Sequence, residues 1–427
     1  MTIKTKVLPY EQVMALPKPK HKKPLRQNPV LKLLIKVLSM PAMYKSGFTV
    51  NRINMDKLGK KEPCLILMNH TSFFDMKVAA HVLFPRTFGI VTTTDGFVGL
   101  NPLMRLLGCI PTNKFVFDPI LIKDIMYSIR ELKSSVLMYP EAGYTFDGTA
   151  TPLPDSIGKF VKMLGAPVVM IKTYGVFQRD PLYNNLQLRK SKTSADVEYL
   201  LSPQQIKESS AEEIQSIINS RFDFDGFRYQ QENKISVPEP FRADCLHRVL
   251  YKCPHCMAEC ATEGKGISLV CHSCGKSYTL DQYGYLVADD GDAKFNHVPD
   301  WYRWQRECVK KELEDGKYRL QCDVDIYMLV NTKCVYKVGD GTLTHTSDGF
   351  HLVGCDGKLD HLQKPETTYN LNADFYWYEK GDVIGFGDRS VFYYCIPKDK
   401  RVSVAKARLA TEVLYQMKKQ AKRRITE

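Results

Sequence analysis

Three short apolar runs, Leu65-Ile66-Leu67-Met68, Val136-Leu137-Met138 and Val168-Val169-Met170-Ile171, stop abruptly, and the first two stop at polar motifs. Runs of this length predict buried β-strands. Between the first two, Asp118 and Pro119 are the capping and opening residues of a helix, with Ile125, Ile129 and Leu132 on its apolar face. Strand, helix and strand in that order predict crossover units, which would set the two polar motifs on one edge of a mainly parallel sheet. Upstream, Asn28-Pro29 opens another helix. Asn28, Lys32 and Lys36 form its polar stripe, apolar residues from Val30 to Leu38 take the remaining surface, and Pro41 is expected to stop it.

Beyond Trp301-Tyr302-Arg303-Trp304 the apolar period falls to two. Turn signals at Gly339-Asp340-Gly341, Ser347-Asp348-Gly349, Asp356-Gly357 and Lys380-Gly381-Asp382 predict short strands, and an amphipathic helix from about Ser403 to Lys422 follows. Several strands and one closing helix resemble a pleckstrin-homology-like barrel, and a sandwich or an extension of the ribbon is the alternative. With 427 residues and 44% apolar composition, two or three domains are expected.

The first polar motif is Asn69-His70-Thr71-Ser72-Phe73-Phe74-Asp75, a histidine and a carboxylate five residues apart at the end of a strand. The second is Tyr139-Pro140-Glu141-Ala142-Gly143. Ligands of open α/β sheets collect at the carboxyl ends of strands, so this edge is the candidate site. Each residue also has a plain structural reading: the histidine as a satisfied structural side chain, the glutamate as a turn cap.

Four blocks in order, Asn69 to Asp75, Gly108 to Lys114, Pro140-Glu141 and Gly165 to Ile171, resemble the glycerolipid acyltransferases of the lysophosphatidic acid acyltransferase type. The resemblance spans roughly residues 47 to 235. It implies acyl transfer from a thioester, on acyl-CoA or acyl carrier protein, to the hydroxyl of a lysophospholipid, 1-acylglycerol 3-phosphate above all. His70 would be the general base and Asp75 would fix its tautomer. Asn69, Lys114, Glu141 and Gly143 would line the substrate side, with Lys114 meeting the acceptor phosphate. Two departures bear on the acceptor. The family's second block usually ends in arginine where this chain has Lys114, and its third block carries an arginine where Gly143-Tyr144-Thr145 stands. Glycerol 3-phosphate, another lipid acceptor, or a non-catalytic membrane- or protein-binding scaffold are the alternatives.

Charge is concentrated at the ends. Residues 1 to 60 hold 13 Lys or Arg against 2 acids, and residues 398 to 427 hold 10 against 3, while the whole chain carries +13. A basic segment leading into a helix with a wide apolar face suits an anionic membrane surface, and lipid has a better claim on it than nucleic acid. No apolar run reaches the ~20 residues a span requires. The expected location is cytoplasmic, peripheral on the inner face of the cell membrane.

Thirteen cysteines without a secretory signal indicate a reducing compartment. Cys253-Pro254-His255-Cys256 and Cys271-His272-Ser273-Cys274 have the spacing of two knuckles around one zinc, a closed and therefore structural site. The expected architecture is α/β: a basic amphipathic segment over 1–46, an acyltransferase domain with a mainly parallel sheet over 47–236, a zinc ribbon over 237–295, and a β-rich domain with a C-terminal helix over 296–427.

Overall fold

A computed structural model describes residues 2–426. Its first sheet has seven strands in the order Thr49–Ile53, Ser194–Leu201, Val168–Tyr174, Leu65–Met68, Ser135–Met138, Phe88–Thr93, Cys109–Thr112. The last five run parallel, and Ser194–Leu201 runs antiparallel to its neighbour Val168–Tyr174. Leu65 pairs with Val136 and Leu67 with Met138, so the two strands end side by side and deliver His70 and Glu141 to the same edge. Strand alternation divides the core between the two faces. Ile66 and Met68 pack with Phe74, Val78 and Val82, while Leu65 and Leu67 pack with Ile125, Ile129 and Val161. The helix Pro119–Arg130 starts where expected, with the Asp118 side chain accepting from Ile120 N.

The second sheet is antiparallel along the order Leu359–Gln363, Gly349–Gly354, Val335–Thr346, Leu320–Leu329, Phe392–Pro397, Val383–Gly387, Asn372–Asp374. Two meanders thus join through Leu320–Leu329 and Phe392–Pro397, and the helix Val404–Thr426 follows. One expected turn is absent: Gly339-Asp340-Gly341 lies inside the strand Val335–Thr346. A Cβ on Gly341 would stand 2.4 Å from Val353 O, so glycine serves a close approach of neighbouring strands there. Near the N-terminus, Thr5–Val7 joins this sheet, pairing in parallel with Val335 to Lys337.

A four-stranded meander between Thr262 and Ala288 carries the second cysteine pair, and the helix Val298–Glu314 follows it. Tyr278 and Leu280 of the meander, Trp301 and Val309 of the helix, and Val324 and Ile326 of the second sheet share one core with Phe146 and Phe177. The β-rich half is therefore packed against the first sheet's loops.

The helix Pro29–Lys45 runs through Pro41, which was expected to end it. Pro41 is exposed, so the carbonyl freed by its missing N–H faces the solvent side of the helix. The polar stripe turns inward: Lys36 Nζ lies 2.9 Å from His81 Nδ1, and Lys32 Nζ donates to Pro85 O at 3.0 Å. The apolar face is left outside, with Val30 72% and Leu38 64% exposed. Among the described residues, no helix is long and apolar enough to cross a membrane.

Candidate active site

His70 and Asp75 meet because the chain leaves the strand at Met68 and enters the helix Phe74–Leu83 within six residues. Asp75 is fully buried in the first turn of that helix, where the positive end of the helix dipole favours a carboxylate. Its Oδ2 accepts from Thr71 N at 2.7 Å and Ser72 N at 3.1 Å, and it lies 3.1 Å from His70 Nδ1. A carboxylate held by this many donors is acceptor-only, so His70 Nδ1 carries the proton and Nε2 is left as the basic nitrogen. The ring is stacked on Tyr139 at 4.0 Å and tilted against Tyr144 at 4.4 Å. Burial lowers the imidazole pKa more than the Asp75 contact raises it, and the Lys114 charge lowers it as well. The histidine is therefore neutral, ready to accept a proton.

The other expected site residues divide into braces and one free cation. Glu141 is buried and spends both oxygens on protein: Oε2 accepts from His70 N at 2.8 Å, and Oε1 accepts from Thr151 N at 2.8 Å. Burial raises its carboxyl to about 7. Asn69 Oδ1 accepts from Thr173 N at 2.8 Å and from the Thr173 hydroxyl at 3.0 Å, tying the motif to the neighbouring strand. Gly143 is buried in the turn after Glu141, where an added Cβ would meet only the Phe115 ring, Cζ at 3.6 Å and Cε2 at 4.0 Å. Lys114 follows the strand Cys109–Thr112 and has no hydrogen-bond or ion-pair partner among the described residues, although its charge acts on both His70 and Asp374. Of three further cations near these blocks in sequence, Lys172 donates to Asp223 O at 2.7 Å, Arg179 pairs with Asp180 at 3.3 Å, and Lys159 is exposed.

Several contributors carried no sequence signal of their own. Tyr139 and Tyr144 flank the second motif, and an aromatic on each side of Pro-Glu-Ala-Gly was the one available hint. Asp180, which pairs with Arg179 at 3.3 Å, has its carboxyl raised to about 7 by burial, an effect that Arg179 and Ser72 oppose. The β-rich half reaches in from far along the chain: Arg408 Nη1 donates to Tyr144 O at 3.0 Å, and Tyr369 Oη donates to Pro140 O at 3.4 Å. Asp374 of the same half is held near 6, chiefly by burial, which Lys114 opposes.

The cysteines form a separate cluster. Sulfurs of Cys253, Cys256, Cys271 and Cys274 all lie within 4.8 Å of one another. Cys253 and Cys274 Sγ are 3.8 Å apart, and Cys256 and Cys271 Sγ are 3.7 Å apart. Four bonds of about 2.3 Å in a tetrahedron give edges of about 3.8 Å, so the arrangement fits a metal ion. His272 is turned to Glu263 at 2.8 Å, outside the set.

Residues 49–172 match the family model described as Acyltransferase. No curated protein sequence matches the chain. Among solved structures, the 1-acyl-sn-glycerophosphate (LPA) acyltransferase PlsC from Thermotoga maritima is similar at 16% identity, over 45% of this chain and 77% of that one. The TM-score is 0.36, a likeness too distant to argue from.

Proposed function

We propose that this chain, whose residues 49–172 match the acyltransferase family model, moves a fatty acyl group from acyl-CoA or acyl carrier protein to the hydroxyl of a lysophospholipid, 1-acylglycerol 3-phosphate first among them, in phospholipid synthesis. The observation that carries this reading is the His70–Asp75 pair, with Nδ1 committed to the carboxylate. The acceptor hydroxyl gives its proton to Nε2 as its oxygen attacks the thioester carbonyl. The tetrahedral intermediate then expels the thiolate, which takes the same proton back from the imidazolium that Asp75 stabilises. No enzyme nucleophile is needed, because the acceptor oxygen does the attacking.

The unpartnered Lys114 ammonium supports a phosphate on the acceptor. Asp374 beside it favours a second reading, in which the acceptor carries no phosphate. The four cysteines would hold a zinc that organises the ribbon and takes no part in the chemistry, since four thiolates leave no open position. The outward apolar face of Pro29–Lys45, preceded by Lys18, Lys20, Lys22, Lys23 and Arg26, supports a peripheral place on an anionic bilayer, at the inner face of the cell membrane. Incubating purified protein with labelled acyl-CoA and acyl carrier protein, each against a panel of lyso-acceptors, tests the proposal. An acylated lysophospholipid is the expected product, and failure to acylate any hydroxyl acceptor would refute it.

A further inference from the structure

Where the first sheet's loops meet the β-rich half, Lys114 and Phe115 line a small cavity whose remaining walls include Thr368, Asn370, Asn372 and Gly385. Asn370 is fully buried. Its Oδ1 accepts from Leu371 N at 2.7 Å, which fixes the orientation of the amide, and its Nδ2 has no hydrogen-bond partner. A buried amide N–H without a partner costs free energy, and native folds keep such groups where a water or a ligand completes them. Lys114, which lines the same cavity, also has no hydrogen-bond or ion-pair partner among the described residues. One buried unsatisfied amide donor and one cation without a hydrogen-bond or ion-pair partner thus line one cavity from two halves of the molecule, with the Asp374 carboxyl within reach of the lysine's charge. The cavity holds about 10 Å³, enough for one water-sized group such as a single anionic oxygen.

We propose that Lys114 and Asn370 form an anion site across this seam, which receives an oxygen of the acceptor's phosphate. Asn370 is then the β-rich half's contribution to acceptor specificity, standing in for the arginine the second and third blocks lack. The assignment of the anion to an acceptor rests on the acyltransferase reading above; the site itself does not.

The test uses the full-length protein and inorganic phosphate, titrated calorimetrically. Asn370→Asp keeps the oxygen that Leu371 N needs and removes the amide donor, so phosphate affinity should fall by roughly tenfold or more. Asn370→Ser, which also retains an oxygen, serves as the second variant should the first melt early. Lys114→Met should fall at least as far, and the double variant little further, because both donors serve one anion. In acyl transfer, Asn370→Asp should raise KM for a phosphorylated lyso-acceptor while leaving KM for the donor and for an uncharged monoacylglycerol in place. A purely structural role would disturb all three alike. Wild-type protein that binds no phosphate at millimolar concentration, or variants that bind it as wild type does, would overturn the site. Phosphate binding lost in the variants, with no acyl transfer by wild type, would keep the site and sink the acyltransferase reading.

Discussion

The proposed active site and the cysteine cluster are each built on pairs close in sequence, His70 with Asp75 and the two CxxC pairs, yet they treat their polar atoms in opposite ways. Around the cysteines every ligand atom points at one centre: four sulfurs lie within 4.8 Å, and the nearby histidine is turned away to Glu263. Around His70, groups remain unspent. Nε2 is basic and uncommitted, Lys114 has no partner, and Asn370 and Asp180 each keep a buried atom without a hydrogen bond. Burial holds the Asp180 carboxyl near 7, and Glu141, also raised to about 7, is braced through both of its oxygens. A saturated cluster is suited to holding structure together, and the unspent groups around His70 are what the proposed acyl transfer would require of a site that a substrate completes.

The sharpest way to break that contrast is to remove a sulfur. Cys271 is 2% exposed. Cys271→Ser should lose about one zinc per chain by elemental analysis and cost up to about 10 kcal/mol of folding free energy, since metal binding and folding are coupled in such modules. Because Tyr278 and Leu280 share a core with Trp301 and Val324, the loss should spread beyond the ribbon and lower the whole thermal transition. Metal-free wild-type protein, prepared without chelator and fully stable, would end the structural role.

A smaller effect distinguishes packing from docking at the helix Pro29–Lys45. Leu34 and Leu38 are 47% and 64% exposed. Changing both to serine should leave stability within about 0.5 kcal/mol and weaken co-sedimentation with anionic vesicles roughly tenfold. Binding should also fall with salt, as the basic lead-in requires. Unchanged vesicle binding in that variant would return the face to ordinary solvent exposure.

The smallest effect is in the pH profile. Proton acceptance needs neutral His70, and burial places its pKa below the ordinary 6.5, so the rate should decline only as pH falls through that lowered value. Lys114→Met removes a cation that pushes the same way, so the acid limb of kcat/KM with an uncharged acceptor should move up toward 6.5. A limb that moves down would mean that Lys114 does not act on His70.

Local pattern made much of this legible. The strand ends at Met68 and Met138, the Asp118 cap and the paired CxxC knuckles are each written in a few consecutive residues, and each forms as its pattern predicts. Contacts between distant segments were not legible. Nothing near Asn370, Tyr369 or Arg408 announces that they press on the cleft, and the pairing of Thr5–Val7 with a strand more than three hundred residues later has no local signature. The orientation of Pro29–Lys45 was hidden for a related reason. An amphipathic pattern states that two faces differ, and only the His81 and Pro85 contacts of its lysines decide which one faces in.

Whether His70 is the base is tested most directly by the turnover of His70→Ala. In an acyl-transfer assay with the wild type's preferred donor and acceptor, kcat should fall by roughly 10²–10⁴-fold while circular dichroism and zinc content stay as in wild type. Asp75→Asn should fall severely too, through loss of the tautomer that leaves Nε2 basic. A folded, zinc-containing His70→Ala protein that turns over at the wild-type rate would contradict the account.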